Sequence, residues 1–269
     1  MDKETVMTDA QVKTPSAPLL SVNGGVATLT LNRPAHRNRL EAGDLQTLLS
    51  QFEHVNADPA IRVLKLTANT WGQPKPVFCA GYHIGSFDEQ DNDPQLFERV
   101  ANTLAELRPV TVCALNGSVY GGATDLMLAC DLSVGLAGIE FRMPATALGL
   151  HYYPGGLQRY VAKLGLSGAK RAFLSARPFS SEMLLRLGCF ETLAAPEDFD
   201  AAVNGLIHEI ADLAPLAVQA TKQSLNEIAS GQVNLAAMRA RESTTAASQD
   251  FAEGRRAFQQ RRKALFVGK

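Results

Sequence analysis

The sequence has little sulfur chemistry to offer. Its four cysteines (Cys79, Cys113, Cys130, Cys189) include no Cys-x-x-Cys pair. Three of them, Cys79, Cys113 and Cys130, lie in apolar stretches, where free thiols pack as small hydrophobes. The five histidines show no His-x-x-x-His spacing. Neither a disulfide framework nor a metal site is expected, and a reduced, cytoplasmic setting fits best. Charge of one sign is also missing. The formal net charge is −1, so no bulk basic field points to nucleic acid or an anionic membrane. No apolar run approaches the length of a bilayer span. The N-terminus carries Asp2, Glu4 and Asp9 and lacks both a signal core and the Arg-rich character of a transit peptide.

What is present is an ordinary globular balance. Over 269 residues, 46% are hydrophobic and 20% charged, enough to bury a core without staples. Residues 1–17 hold no periodic pattern and read as a flexible tail. Strand-like stretches begin at Val26–Leu31, Val63–Thr67, Val77–Gly81 and Val110–Leu115, with short ones at Leu132–Gly135 and Ile139–Arg142. Helical spacing covers 41–55 and 94–107, and a further apolar helix runs from Ala123 to about Cys130. This alternation predicts an α/β core over residues 18–205. Beyond it the strand signals stop, and 216–229, 233–248 and 250–264 read as helices of a subdomain spanning 206–269.

Two stretches carry the chemistry. In Phe78-Cys79-Ala80-Gly81-Tyr82-His83-Ile84 a strand runs into small residues that let a ligand approach the backbone. In Gly121-Gly122-Ala123-Thr124-Asp125 a helix begins, and first-turn amides lack intrahelical acceptors. The amides of Tyr82 and Gly122 form a candidate donor pair for a thioester oxygen turning into an enolate. Preorganised donors of this type are worth about 3–4 kcal/mol each. Spacing alone equally allows a tight turn with close helix–strand packing.

Both stretches resemble the signature of the crotonase (enoyl-CoA hydratase/isomerase) superfamily, and further segments do so in the same order. Asn32-Arg33-Pro34 with Asn38-Arg39-Leu40 resembles its N-terminal motif, and Pro109 to Asp131 its central segment. Gly155-Gly156-Leu157-Gln158-Arg159 is similar to its downstream turn, and Phe258 to Phe266 to its C-terminal helix. The resemblance runs from about residue 20 to 269. It implies a spiral of ββα units with a C-terminal helical trimerisation subdomain, assembled as a homotrimer or a hexamer made of two trimers. It also implies an acyl-CoA substrate, with coenzyme A entering as part of the thioester and no separate cofactor. The oxyanion hole maps onto Tyr82 and Gly122. The adenine end maps near Ala80, Arg33 and His36, and the phosphates near Arg262 and Lys263, which otherwise read as a solvated helix end.

Hydratases of the superfamily use two glutamates. The first maps to Asp125, on the helix face beside the Gly122 amide, where an acidic residue also complements the helix dipole. The second maps to Ala145, which moves no proton. Among subfamilies the chain resembles methylmalonyl-CoA decarboxylase most, through Gly117–Ala123, Leu148-Gly149-Leu150-His151-Tyr152 and Phe266-Val267-Gly268. The catalytic tyrosine of that subfamily maps to Tyr152, its oxyanion-hole histidine falls at Tyr82, and His83 stands in place of its usual Asp; the resemblance implies Tyr152 or His83 as the catalytic group that steers the leaving carboxylate. Tyr152 and Tyr153 equally suit core aromatics with one satisfied hydroxyl. The expectation is an acyl-CoA lyase decarboxylating a malonyl- or methylmalonyl-type thioester. The alternatives are an enoyl-CoA hydratase or isomerase of fatty-acid oxidation, and a non-catalytic CoA- or RNA-binding relative. Near-neutral charge argues against RNA.

Overall fold

A computed structural model describes residues 17–83, 85 and 93–269. The expected tail, apart from residue 17, and Ile84 lie outside the described residues. The main sheet has the order β1-β2-β3-β5-β7-β10. Its strands are β1 (Leu19–Asn23), β2 (Val26–Leu31), β3 (Val63–Ala68), β5 (Val110–Leu115), β7 (Leu132–Leu136) and β10 (Thr192–Ala194). Only the β1–β2 pairing is antiparallel. A smaller sheet orders β4 (Val77–Cys79), β6 (Ser118–Tyr120), β8 (Glu140–Arg142) and β9 (Phe179–Ser180).

Strand alternation explains how the main sheet is covered on both faces. In β5, Cys113 and Leu115 join the larger core with Leu45, Leu48 and Phe52 of α1 (Ala42–Ala57). Val110, Val112 and Ala114 face the other way, against Phe199, Val203 and Ile207 of α6 (Phe199–Ala211). Successive side chains of a strand point to opposite faces, so a strand buried on both sides reads as the unbroken run Val-Thr-Val-Cys-Ala-Leu. The boundary expected near residue 205 falls inside α6, which packs on the core.

Three further helices sit before α6: α2 (Leu96–Glu106), α3 (Ala123–Ala129) and α5 (Ser181–Arg186). With them is α4 (Pro154–Ser175), which is interrupted at Gly165 by non-helical backbone. The Gly155–Arg159 segment expected as a turn is the opening of α4, because Pro154 takes the first helical position, where its missing N–H costs nothing.

After α6 come α7 (Pro215–Ala229), α8 (Leu235–Ala246) and α9 (Gln249–Gln260). Lys222 anchors α7 by pairing with Asp131 at 2.7 Å and donating to the Pro109 carbonyl at 2.9 Å. No residue of α8 is buried. The helix expected to reach residue 264 stops at Gln260, and Arg261 turns left-handed at φ 50°. Arg262 and Lys263 therefore lie beyond the helix, in a tail pinned where Asp250 accepts the amides of Val267 (2.7 Å) and Gly268 (2.8 Å). Among the described residues no single helix is long and apolar enough to cross a membrane.

Candidate active site

Strands β4 and β6 run parallel, Val77 opposite Ser118 and Cys79 opposite Val119. Both therefore deliver their following turns to the same end of the small sheet, the carboxyl end where open parallel sheets bind ligands. Gly81 (φ 98°) and Gly121 (φ 56°) adopt conformations that side chains resist. A Cβ on Gly81 would stand 3.0 Å from the Tyr120 carbonyl oxygen, and one on Gly121 would stand 3.7 Å from the Gly81 Cα. The two turns thus lie backbone to backbone at Gly81 and Gly121, each followed in the chain by one of the expected donors, Tyr82 and Gly122. Among the described residues the Gly122 N–H meets no acceptor.

The Tyr82 segment is held from behind. Arg37 accepts the Ala80 amide, Gly81 accepts the Leu40 amide, and Leu40 accepts the His83 amide, each at 2.9 Å. The Tyr82 ring meets Phe97 edge-on at 5.9 Å. Phe97 in turn stands so close to Gly122 that an added Cβ would lie 2.7 Å from its ring. Alternation sends His83 the other way, its imidazole against Gly85 and within electrostatic reach of Glu41.

Asp125, in the first turn of α3, is completely buried. It does more than complement a dipole. Arg159 of α4 donates Nε to Oδ1 at 2.9 Å and a terminal nitrogen to Oδ2 at 2.6 Å. The Tyr153 hydroxyl donates to the same Oδ2 at 2.7 Å, and the Tyr152 hydroxyl donates to Tyr153 at 2.8 Å. The direction is forced: a carboxylate paired with a guanidinium only accepts, so Tyr153 gives its one proton to Asp125 and takes that of Tyr152. Burial, then the Asp125 charge, pushes both tyrosines far above the usual phenol range. Burial works against the Arg159 charge, but the Asp125 hydrogen bonds and charge outweigh it and raise its pKa. Arg159 also reaches Asn102 of α2 at 2.8 Å. Phe97 lies 6.4 Å from the Tyr153 ring and so joins this network to the two turns.

The remaining expected residues divide. Tyr152 is nearly closed off from solvent, stacked on Tyr153. Arg33 is committed to Asp44, at 3.0 and 2.9 Å. Asp44 also takes the Glu41 amide at the start of α1. His36 and Ala80 are exposed. Far along the chain, Arg262 is paired with Glu253 and Lys263 with Asp212. Ala145 is buried. Sequence reasoning missed Arg159, Tyr153 and Asn102 as site residues. The only signal was that a buried aspartate needs a cation, and nothing local to Asp125 says which. The four cysteines are buried and free, and among the described residues no cluster suits a metal ion.

A family model described as enoyl-CoA hydratase/isomerase matches residues 21–269. The 2,3-dehydroadipyl-CoA hydratase of Escherichia coli is 32% identical over 255 residues, covering 91% of this chain and 96% of that protein. The crotonyl-CoA hydratase of Syntrophomonas wolfei is 28% identical, covering 91% and 95%. The crystal structure of an enoyl-CoA hydratase from Bacillus anthracis superposes with a TM-score of 0.81 at 23% identity, over 94% of this chain and 99% of that one, a likeness of fold. This chain belongs to the enoyl-CoA hydratase/isomerase family, within the crotonase superfamily.

Proposed function

We propose that the chain acts on an acyl-CoA thioester, holding the enolate oxygen between the amides of Tyr82 and Gly122, and that the step is decarboxylation of a malonyl- or methylmalonyl-type thioester. One observation carries the choice of step. The carboxylate at one of the two acid–base positions, Asp125, is buried and engaged by Arg159 and Tyr153, and the other position is Ala145. Water addition to a double bond asks for groups that take and give protons. Decarboxylation asks for less. The bond between Cα and the carboxylate breaks, its electron pair flows onto the thioester oxygen, carbon dioxide leaves, and Cα later takes a proton from water. Donors aimed at the developing oxyanion supply the main stabilisation. Tyr152 acts through Tyr153 in this reading, fixing the wall of the site beside Phe97.

Hydration is the second reading, favoured by similarity to two proteins named as hydratases. Incubation with methylmalonyl-CoA and crotonyl-CoA in parallel, followed by mass analysis, separates the two. Hydration of crotonyl-CoA without carbon dioxide release from the malonyl thioester overturns the first. We further propose a trimer or hexamer. The exposed Leu225, Ile228 and Leu235 of α7 and α8 suit a neighbouring subunit.

A further inference from the structure

The Gly122 N–H shares its peptide plane with the Gly121 carbonyl, and in a trans peptide the two point in opposite directions. Whatever binds that carbonyl therefore aims the N–H. The Gly121 oxygen accepts twice from Thr124, from its amide at 3.0 Å and from its hydroxyl at 2.5 Å. Threonines in helices often bond back to the preceding turn in this way, so the contact alone assigns nothing. What sets it apart is the group behind it. The Tyr160 hydroxyl of α4 stands 2.5 Å from the Thr124 hydroxyl oxygen. A carbonyl only accepts, so Thr124 gives its one proton to Gly121 and takes that of Tyr160. The peptide of the other expected donor has a simpler support: the Gly81 carbonyl, bonded to the Tyr82 nitrogen, accepts the Leu40 amide at 2.9 Å.

Thr124 and Tyr160 are both completely buried, where a hydrogen bond is electrostatically stronger than in water. The Tyr160 ring is fixed by its neighbours, with Phe173 at 4.7 Å, Phe141 at 6.0 Å and Tyr152 edge-on at 6.2 Å. Helix α4 thus meets the first turn of α3 with consecutive residues, Arg159 on Asp125 and Tyr160 on Thr124. Within such a chain each hydrogen bond polarises the next, strengthening it by about 10–30%. The order here is Tyr160 O–H, Thr124 O–H, Gly121 C=O. Electron density drawn toward the carbonyl oxygen leaves the Gly122 hydrogen more positive, at the atom assigned to the thioester oxygen.

We propose that Thr124 and Tyr160 are positioning residues of the reaction: through the Gly121 carbonyl they aim and polarise the Gly122 N–H against the developing enolate oxygen. This rests on the acyl-CoA reading and adds the side chains that set the strength of one oxyanion donor. A whole donor is worth roughly 100- to 1000-fold in rate, so a 10–30% share of it corresponds to about two- to eightfold.

Infrared difference spectra of acetyl-CoA, isotope-labelled at its thioester carbonyl and bound to the full chain, read the donor directly. Binding to the parent should move the carbonyl stretch to lower wavenumber. Thr124→Val should lose roughly 10–30% of that displacement. On whichever of methylmalonyl-CoA and crotonyl-CoA the parent turns over, the same variant should lower kcat by about two- to eightfold with little change in KM. Thr124→Ser, which keeps the hydroxyl, should restore both. Tyr160→Phe leaves the Thr124–Gly121 bond and should show the same changes at smaller size. The double variant Thr124→Val with Tyr160→Phe separates positioning from packing. It leaves no buried hydroxyl without a partner, so its urea midpoint should return toward the parent, while kcat and the carbonyl stretch stay at the Thr124→Val values. A double variant that regains kcat along with stability overturns the proposal. An identical carbonyl stretch in the parent and in Thr124→Val overturns it too and leaves the acyl-CoA reading intact. Acetyl-CoA that fails to bind the parent, or binds with no displacement of its stretch, overturns both.

Discussion

Arg159 holds both carboxylate oxygens of Asp125, at 2.9 and 2.6 Å, inside a region where Asp125 has no contact with solvent. Removing one partner of such a pair leaves the other charge buried and uncompensated, at a cost of about 3–5 kcal/mol. Arg159→Met should therefore destabilise the fold by about that amount in urea unfolding. Adding Asp125→Leu should recover much of the loss, since a pair replaced by apolar groups is often neutral. A double variant no more stable than Arg159→Met would show that the pair is not the source of the effect.

The oxyanion assignment is tested at Gly122. Its φ of −55° suits proline, so Gly122→Pro removes the amide donor at a permitted backbone angle. An added Cβ must displace Phe97, and Gly122→Ala carries that steric cost while keeping the N–H. Turnover of the proline variant should fall a further 100-fold or more below the alanine variant, the scale of one lost oxyanion donor. Equal rates in two folded variants would remove Gly122 from the site.

How much of this was legible in sequence depended on periodicity and range. The run Val110–Leu115 reads as a strand because both faces of β5 are buried. Gly81 and Gly121 marked the apposed turns because positive φ angles favour glycine. Helix α4 was hidden because Pro154-Gly155-Gly156 looks like punctuation, yet Gly156 is where the Tyr152 ring fits, 2.3 Å from where a Cβ would sit. The end of α9 was hidden for the opposite reason: Arg261 turns left-handed without glycine to announce it. The Asp125–Arg159 pair spans two elements, and no local pattern encodes a contact across them.

The C-terminal tail should respond to acid. Glu253 is held down to about 2, first by its hydrogen bond with Arg262 and then by the Leu265 amide. A depressed folded pKa means the clasp contributes above the ordinary carboxylate range and is lost as pH falls from about 4.5 toward 2. Hydrogen exchange at the Leu265 amide should accelerate, beyond its intrinsic pH dependence, across that window. In Glu253→Gln it should already be fast at neutral pH. Equal protection in the variant and the parent would show that the ion pair does not hold the tail.

Assembly should depend on the faces that one chain leaves bare. Leu225 on α7 is 59% exposed and Leu235 on α8 is 72% exposed. Light scattering should report three or six chains, and Leu225→Asp with Leu235→Asp should shift the population to monomer with the helical signal retained. A parent protein that stays monomeric at every concentration would refute the proposed trimer.

The choice between decarboxylation and hydration turns on whether Asp125 moves a proton. Two Arg159 donors and the Tyr153 hydroxyl occupy its oxygens, so a water in the site would compete with a buried ion pair for any of them. Asp125→Asn keeps the shape and the Tyr153 acceptor while abolishing acid–base capacity. If Asp125 serves only to fix Arg159 and Tyr153, the variant should still release carbon dioxide from methylmalonyl-CoA, at a rate reduced by about tenfold or less for a shifted wall. Tyr152→Phe should likewise slow that release with little change in thioester affinity, because Tyr152 reaches the site through Tyr153. A proton-transferring Asp125 would instead make crotonyl-CoA hydration the fast reaction of the parent and bring it down by 100-fold or more in Asp125→Asn. That pattern, with no release from the malonyl thioester, makes the protein a hydratase working with a single carboxylate.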